Sequence, residues 1–267
     1  MIIDGHAHAA REYSTIEGLS NALSINRVDK VVLCPSLKNK TDLSDPPKIF
    51  QQKKEIEPGK QYSSNKFIRF TFRFLKENGD GNKFVHSLVK KLPDKILQFY
   101  WVDMRNIQIA DTLRASFNEM NYKGIKIHQA WTPFKIKGEQ FRTVLDFADM
   151  HNLPIFIHPY SKKDTKELID ITLKYNNINF IIAHLFGLNA FENHKLDNVF
   201  HDISPHYLTT IALTNAINIY GADKIIFGSD MPFGKLDKIL QKIGRLKIDA
   251  EKKDKILGEN IARILNL

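Results

Sequence analysis

Eight short apolar runs, each closing on polar or turn residues, recur along this chain: MIIDGHAH, DKVVLCPS, KILQFYWVDMR, KGIKIHQ, LPIFIHP, NFIIAHL, NVFHDIS and KIIFGSD. Segments with helical spacing or helix-favouring composition separate them, among them GEQFRTVLDFADMHN, DTKELIDITLKYNN and LTTIALTNAINIYGA. Strand and helix in alternation predict parallel βαβ units, an α/β architecture. Eight such units within 267 residues match the size and count of a (β/α)8 TIM barrel. A doubly wound open sheet is the alternative. The barrel is preferred because the polar residues that look chemical close runs one, four, five, six and eight. In a barrel those ends share one mouth, whereas in an open sheet only those near a switch point would meet.

One connection breaks the rhythm. From about residue 36 to 81, after strand two, the chain carries DPPK and EPGK and few apolar stretches outside KFIRFTFRFL. That run alternates with period two over Ile68, Phe70, Phe72 and Phe74, a pattern that does not decide helix from strand. A long insert or lid within a single domain spanning residues 1–267 is expected. The net charge of +9 is concentrated there: Ser36 to Lys91 holds thirteen Lys and Arg against six Asp and Glu, which is +7. So local an excess fits a solvated lysine-rich loop, or a basic lid over an anionic small molecule, better than a nucleic-acid surface. The single cysteine, Cys34, excludes an internal disulfide and a cysteine-rich zinc site. No run approaches the roughly 18 apolar residues of a membrane span, and the start lacks a secretory signal. A soluble, cytoplasmic protein is expected; the sequence leaves a homodimer open.

The chemistry begins in the first run. Residues two apart on a strand point to one face, so His6 and His8 project together at the barrel mouth. Two imidazoles so placed can chelate a divalent cation, although H-x-H alone is a weak signal. His158 closes run five and His184 closes run six, at equivalent positions and towards the same mouth. Four buried imidazoles without a cation would be costly to satisfy. Asp230 follows a buried run and a Gly-Ser turn in IIFGSDMPFG. Alone it would read as an Asx-turn or helix cap; with the histidines it completes an N/O set suited to zinc, with manganese or iron as alternatives. Lys126 and His128, two apart in run four, share a face and are placed beside the site. Lys126 could pair with an acid, bind a carboxylate or, carbamylated, bridge two metals.

Taken together, DGHAH, KGIKIH, LPIFIHP, IIAHLFG, GADKIIFGSDMPFG and KILGENIARILNL resemble the amidohydrolase superfamily over essentially the whole chain. The likeness is to the amidohydrolase-related branch (amidohydrolase 2), which includes aminocarboxymuconate-semialdehyde decarboxylase and related carboxy-lyases and hydrolases. The resemblance implies that His6, His8, His158 and Asp230 bind one divalent metal, commonly zinc, a second metal remaining open. It implies that His184 acts as acid or base beside the metal-bound water, with Asp230 sharing the proton work. The expected activity is a metal-dependent hydrolase or carboxy-lyase acting through a metal-activated water on a small, carboxylated substrate. Lys126, His128, Arg69 and Arg73 are the expected substrate-binding residues; the two arginines, four apart, would share a face of a helix and could grip a carboxylate bidentately.

Two other functions compete. A TatD-type metal-dependent deoxyribonuclease shares the barrel and the H-x-H start but usually has a glutamate where this chain has Lys126. A non-catalytic ligand-binding barrel is the other. Cys34 reads as a packing residue, Trp101 and Trp131 as core or as walls of the substrate pocket, and His201, closing run seven, as support for the site from one layer behind.

Overall fold

The structure, a computed structural model, describes residues 1–36, 55, 57–58, 62–72, 79–194 and 196–267. Eight strands form one sheet: β1 (Ile3–His8), β2 (Lys30–Cys34), β3 (Ile96–Trp101), β4 (Gly124–His128), β5 (Ile155–His158), β6 (Phe180–Ile182), β7 (Val199–Asp202) and β8 (Ile225–Ile226). Each pairs in parallel with the next in sequence. The ring closes between β8 and β1: the Gly5 N–H donates to the Phe227 carbonyl at 2.9 Å, Asp230 N–H to the His6 carbonyl at 2.7 Å and His8 N–H to the Met231 carbonyl at 2.8 Å. Gly5 is required at this seam, since a Cβ there would lie 2.7 Å from Ile226 Cγ2 and 2.8 Å from the Phe227 oxygen.

The strands read as unbroken apolar runs because the barrel interior covers one face and helices cover the other. Every residue of β1, β3, β4, β5, β6 and β7 is buried. The outer helices are α1 (Ile16–Ile25), α3 (Gly79–Lys91), α4 (Ile109–Met120), α5 (Glu139–Met150), α6 (Lys162–Lys174), the short α7 (Leu188–Phe191), α8 (Thr210–Tyr220) and α9 (Leu236–Gly244). After α9, the stretch Ala250–Asp254 runs through a π turn at Lys255–Glu259 into Asn260–Ile264. Side-chain caps start several of these. Thr15 accepts from the Gly18 N–H at 3.1 Å ahead of α1, and Ser161 from the Asp164 N–H at 3.2 Å ahead of α6. The expected barrel and its eight runs are thus found in order, and the three helical segments read from sequence correspond to α5, α6 and α8.

Most of the expected 36–81 insert lies outside the described residues. Its described helix is α2 (Tyr62–Phe72), which resolves the period-two ambiguity in favour of a helix as far as Phe72. Asn65 and Ile68, three apart, are buried against the barrel, whereas Phe67 and Phe70 are exposed. The Asn65 amide donates to the carbonyls of Pro159 at 3.1 Å and Tyr160 at 2.8 Å, just past the end of β5. Helix α2 is therefore moored over the barrel mouth, while α3, from Gly79 onward, is the ordinary crossover into β3.

Candidate metal centre and active site

His6 and His8 leave β1 on one side, both buried, with ring centroids 5.2 Å apart. Asp230 meets them from the end of β8. Its backbone is left-handed (φ 54°). The turn before it is pinned by the fully buried Asp4, whose Oδ1 accepts the Ser229 N–H at 2.8 Å and whose Oδ2 accepts the Ser229 hydroxyl at 2.6 Å. So placed, Asp230 Oδ1 lies 3.6 Å from the Nε2 atoms of both His6 and His8, and Oδ2 lies 4.0 Å from Nε2 of His184. His184 is also left-handed (φ 53°). One donor atom each from His6, His184 and Asp230 falls within 4.8 Å of the others. His158 adjoins this group: its ring stands 5.0 Å from that of His184, and its Nδ1 is buried with no hydrogen-bond partner.

The expected substrate-binding residues are placed unequally. Lys126 is buried inside the barrel, its Nζ 2.8 Å from His6 Nε2 and 3.8 Å from the centre of the Phe156 ring. It thus meets a candidate metal ligand rather than the open mouth. His128 stacks on His158 at 3.9 Å and is flanked by Trp131 at 5.0 Å and Trp101 at 5.9 Å, so both tryptophans belong to an aromatic wall beside the histidines. Arg69, on α2, reaches the same rim: its guanidinium lies 3.3 Å over the Tyr160 ring, and Nη2 donates to the Gln129 carbonyl at 2.9 Å. Arg73 lies outside the described residues. Cys34 is buried, and burial pushes its thiol up to about 12, which suits packing and not nucleophilic attack.

Strand β7 differs from its sequence reading. His201 points out of the barrel against Tyr220, ring centroids 4.2 Å apart, and neither ring nitrogen hydrogen-bonds to a site residue among the described residues. Its neighbour Asp202 points inward: Oδ2 lies 3.3 Å from His6 Nδ1 and accepts the Ser204 hydroxyl at 2.6 Å and the His184 N–H at 3.2 Å. The signal was present, since NVFHDIS offers two polar residues side by side and only one can face the barrel. Gly228 belongs to the same corner; a Cβ on it would lie 2.8 Å from both Asp202 Oδ1 and His6 Cβ.

The charges sort these groups by task. Burial, assisted by Lys126, pushes His6 down to about 3. Burial and then the neighbouring His128 take His158 well below its ordinary value. For Asp230 burial works upward, but His6 and His184 outweigh it and hold the carboxylate below its usual range. Burial would likewise lower His184, yet Asp230 and Asp202 prevail and raise it. Neutral imidazoles with an ionised carboxylate are the protonation states that a metal demands, and a raised imidazole is a proton donor near neutrality. The donor set fits a divalent cation, as does the unused Nδ1 of His158. For His6 to become a ligand through Nε2, the Lys126 contact must open.

Fold and site together define a (β/α)8 barrel with an imidazole–carboxylate cluster at its C-terminal mouth. Residues 3–267 match the amidohydrolase family model, and the chain belongs to that family. None of the curated proteins compared matches it in sequence. Among solved structures, it is similar to 2,6-dihydroxybenzoate decarboxylase from Rhizobium, with TM-score 0.70 and 14% identity over 99% of this chain and 98% of that one. It is also similar to a dihydroxybenzoic acid decarboxylase from Polaromonas sp. JS666 with bound manganese and the inhibitor 2-nitroresorcinol, with TM-score 0.69 and 15% identity over 100% and 97%. The 4-oxalomesaconate hydratase from Rhodopseudomonas palustris follows at TM-score 0.65 and 14% identity over 100% and 96%.

Proposed function

We propose that this protein is a divalent-metal-dependent carboxy-lyase or hydrolase of a small carboxylated compound, with decarboxylation of a planar substrate as the leading reaction. The observation that carries the reading is the convergence of Asp230 on three imidazoles, those of His6, His8 and His184, at 3.6, 3.6 and 4.0 Å. His6, His8, His158 and Asp230 would hold the metal; zinc suits so many imidazoles, and manganese suits the carboxylate. When bound, such a cation supplies a Lewis acid that fixes and polarises substrate oxygens.

This chain's own residues do the rest. The wall of Trp101, His128 and Trp131 lies where a flat ring could stack. Arg69, brought to the rim by α2, offers an always-charged guanidinium to the substrate carboxylate. His184, raised by its two carboxylate neighbours, gives its Nε2 proton to the ring carbon bearing the carboxylate. The carbon–carbon bond then breaks, its electron pair restores the ring, and carbon dioxide leaves; His184 regains a proton from water. For a hydrolysed substrate the same nitrogen would take a proton from the attacking water. The deoxyribonuclease reading is not favoured by the family or by the relatives' named reactions.

Metal content by elemental analysis of protein purified without chelator, joined to turnover of a panel of aromatic carboxylates and lactones, tests the proposal. Near one equivalent of metal is expected, lost in the double variant His6→Ala, His8→Ala, with carbon dioxide release from a carboxylated ring. Protein that takes up no divalent metal after repletion would overturn it, as would activity that survives the double variant.

A further inference from the structure

We infer that Asp202 and Ser204, at the end of β7, act as one positioning device that fixes the tautomers of both His6 and His184 and so leaves both Nε2 atoms as lone-pair acceptors on the side of Asp230, that of His6 also facing Lys126 Nζ at 2.8 Å. The inference rests on the proposed metal site but gives a role to Ser204 and a further one to Asp202, which that proposal uses only as a charge beside His184. Both side chains are fully buried, so the hydrogen-bond accounting among them is closed to solvent.

The Ser204 hydroxyl has one proton, and at 2.6 Å it goes to Asp202 Oδ2. Towards anything else that oxygen only accepts. The Asp202 carboxylate, which also takes the Ser204 N–H on Oδ1 at 3.0 Å, accepts and never donates; the Ser204 carbonyl does the same. His6 Nδ1 faces Ser204 Oγ at 3.1 Å and Asp202 Oδ2 at 3.3 Å. His184 Nδ1 faces the Ser204 carbonyl at 2.8 Å, Ser204 Oγ at 3.2 Å and Asp202 Oδ2 at 3.4 Å. Every atom opposite the two Nδ1 positions is therefore an acceptor. Each ring must carry its proton on Nδ1, and in the neutral ring Nε2 is left as a lone pair.

Those lone pairs are the atoms that lie 3.6 and 4.0 Å from the Asp230 carboxylate. The Asp202 carboxylate also accepts the His184 backbone N–H at 3.2 Å, and so supports the left-handed residue itself. One acid from a third strand thus aligns a candidate metal ligand from β1 with the candidate proton donor after β6. Partners of this kind are known to be worth about 10–100-fold in metal affinity.

Long-range proton–nitrogen NMR on histidine-labelled protein without metal reads the tautomers directly, at about pH 9 where free imidazole is neutral. Single His6→Asn and His184→Asn variants assign the signals. Both rings are expected to be protonated at Nδ1; protonation at Nε2 in either ring of the wild-type protein overturns the inference without recourse to any other variant. Asp202→Asn keeps the shape but sets an amide donor against Nδ1. In the Lys126→Met background, where no ammonium faces His6 Nε2 at 2.8 Å, it should switch His6 to the Nε2-protonated form and weaken Mn2+ binding, followed by electron paramagnetic resonance, by about 10–100-fold. Ser204→Ala leaves each Nδ1 an acceptor, the carbonyl for His184 and Asp202 for His6, and should preserve both tautomers. Unchanged tautomers and Mn2+ affinity on adding Asp202→Asn to folded Lys126→Met protein would refute the device. Failure of the wild-type protein to bind Mn2+ would refute the metal proposal and leave the tautomer result standing.

Discussion

His201 gives the sharpest test of the barrel's outer layer, because it is a titratable ring with nothing to bind. It is fully buried against Tyr220 and Phe191, and neither ring nitrogen has a hydrogen-bond partner. Burial pushes its pKa from 6.5 down to about 3. The unfolded chain takes up this proton near pH 6.5 and the folded one does not until near pH 3. The ring's contribution is therefore fully present above the upper value and is lost as pH falls through the window between the two. At about 1.4 kcal/mol per pH unit, moving from about pH 7.5 to about pH 5 removes roughly 2 kcal/mol through this residue alone. With a urea slope of about 3 kcal/mol per molar, that is a midpoint shift of roughly 0.7 M. His201→Phe keeps a flat ring between the same neighbours and removes both unpaired nitrogens. The variant should be more stable at about pH 7.5 by about 1–3 kcal/mol. Between the two pH values it should lose about 2 kcal/mol less than the wild-type protein. Urea titrations of both proteins at both pH values make the comparison, and the difference cancels the contributions of His6, His128 and His158. Equal losses in the two proteins would refute the reasoning and mean that His201 finds a partner when protonated.

Three further outcomes are expected. Lys126→Met frees His6 Nε2 from a contact at 2.8 Å and removes a cationic side chain from beside the proposed metal site, so Mn2+ affinity should rise at least about tenfold, or about 1.4 kcal/mol; a fall in a calorimetric titration would show that Lys126 helps to hold the ion. Gly228→Ala forces a Cβ to within 2.8 Å of Asp202 Oδ1 and His6 Cβ; a thermal melt should show a loss of roughly 1–3 kcal/mol, with weaker metal binding, and a melt unchanged from wild type would show that this corner is loosely packed. Arg69→Met should raise KM for a carboxylated substrate by about tenfold, the worth of one charge-assisted contact, with kcat held within about threefold; an unchanged KM in steady-state assays would return Arg69 to a purely structural tie between α2 and Gln129.

The legibility of the fold in the sequence has a physical basis. Strands buried on both faces leave an unbroken apolar run whichever way they are turned, so β4, β5 and β6 are plain in KGIKIH, LPIFIHP and NFIIAHL. Candidate site residues stood out where a single polar residue closed such a run, as for His158 and His184, and Asp230 only through the Gly-Ser turn before it. The site was not legible in β7, where His201 and Asp202 are adjacent and the apolar pattern does not say which faces inward. Register with the neighbouring strands decides that, His201 pairing with Ile182 and Ile225. Nor could any local pattern bring Lys126 to His6, 120 residues away. In KFIRFTFRFL the alternation of Ile68 and Phe70 mimics a strand. The helix prevails because Asn65 and Arg69, four apart and so on one helical face, find backbone carbonyls beyond β5 and β4.

The backbone at the site carries the same logic one step further. His184, Leu185 and Asp230 are non-glycine residues with left-handed torsions, a conformation that costs on the order of 1–2 kcal/mol each. Sterics alone would favour glycine at all three. At two of them the geometry can be traced to what it presents: the turned backbone of His184 sends its N–H to Asp202 and its ring towards Asp230, while that of Asp230 sends its N–H to the His6 carbonyl and its carboxylate towards three imidazoles. The hydrogen bonds that offset the strain come from residues that also orient the rings, so the backbone torsions and the side-chain directions are held by one network. Loosening Asp202 would therefore release both together, and the cluster would lose its geometry before the barrel lost its fold.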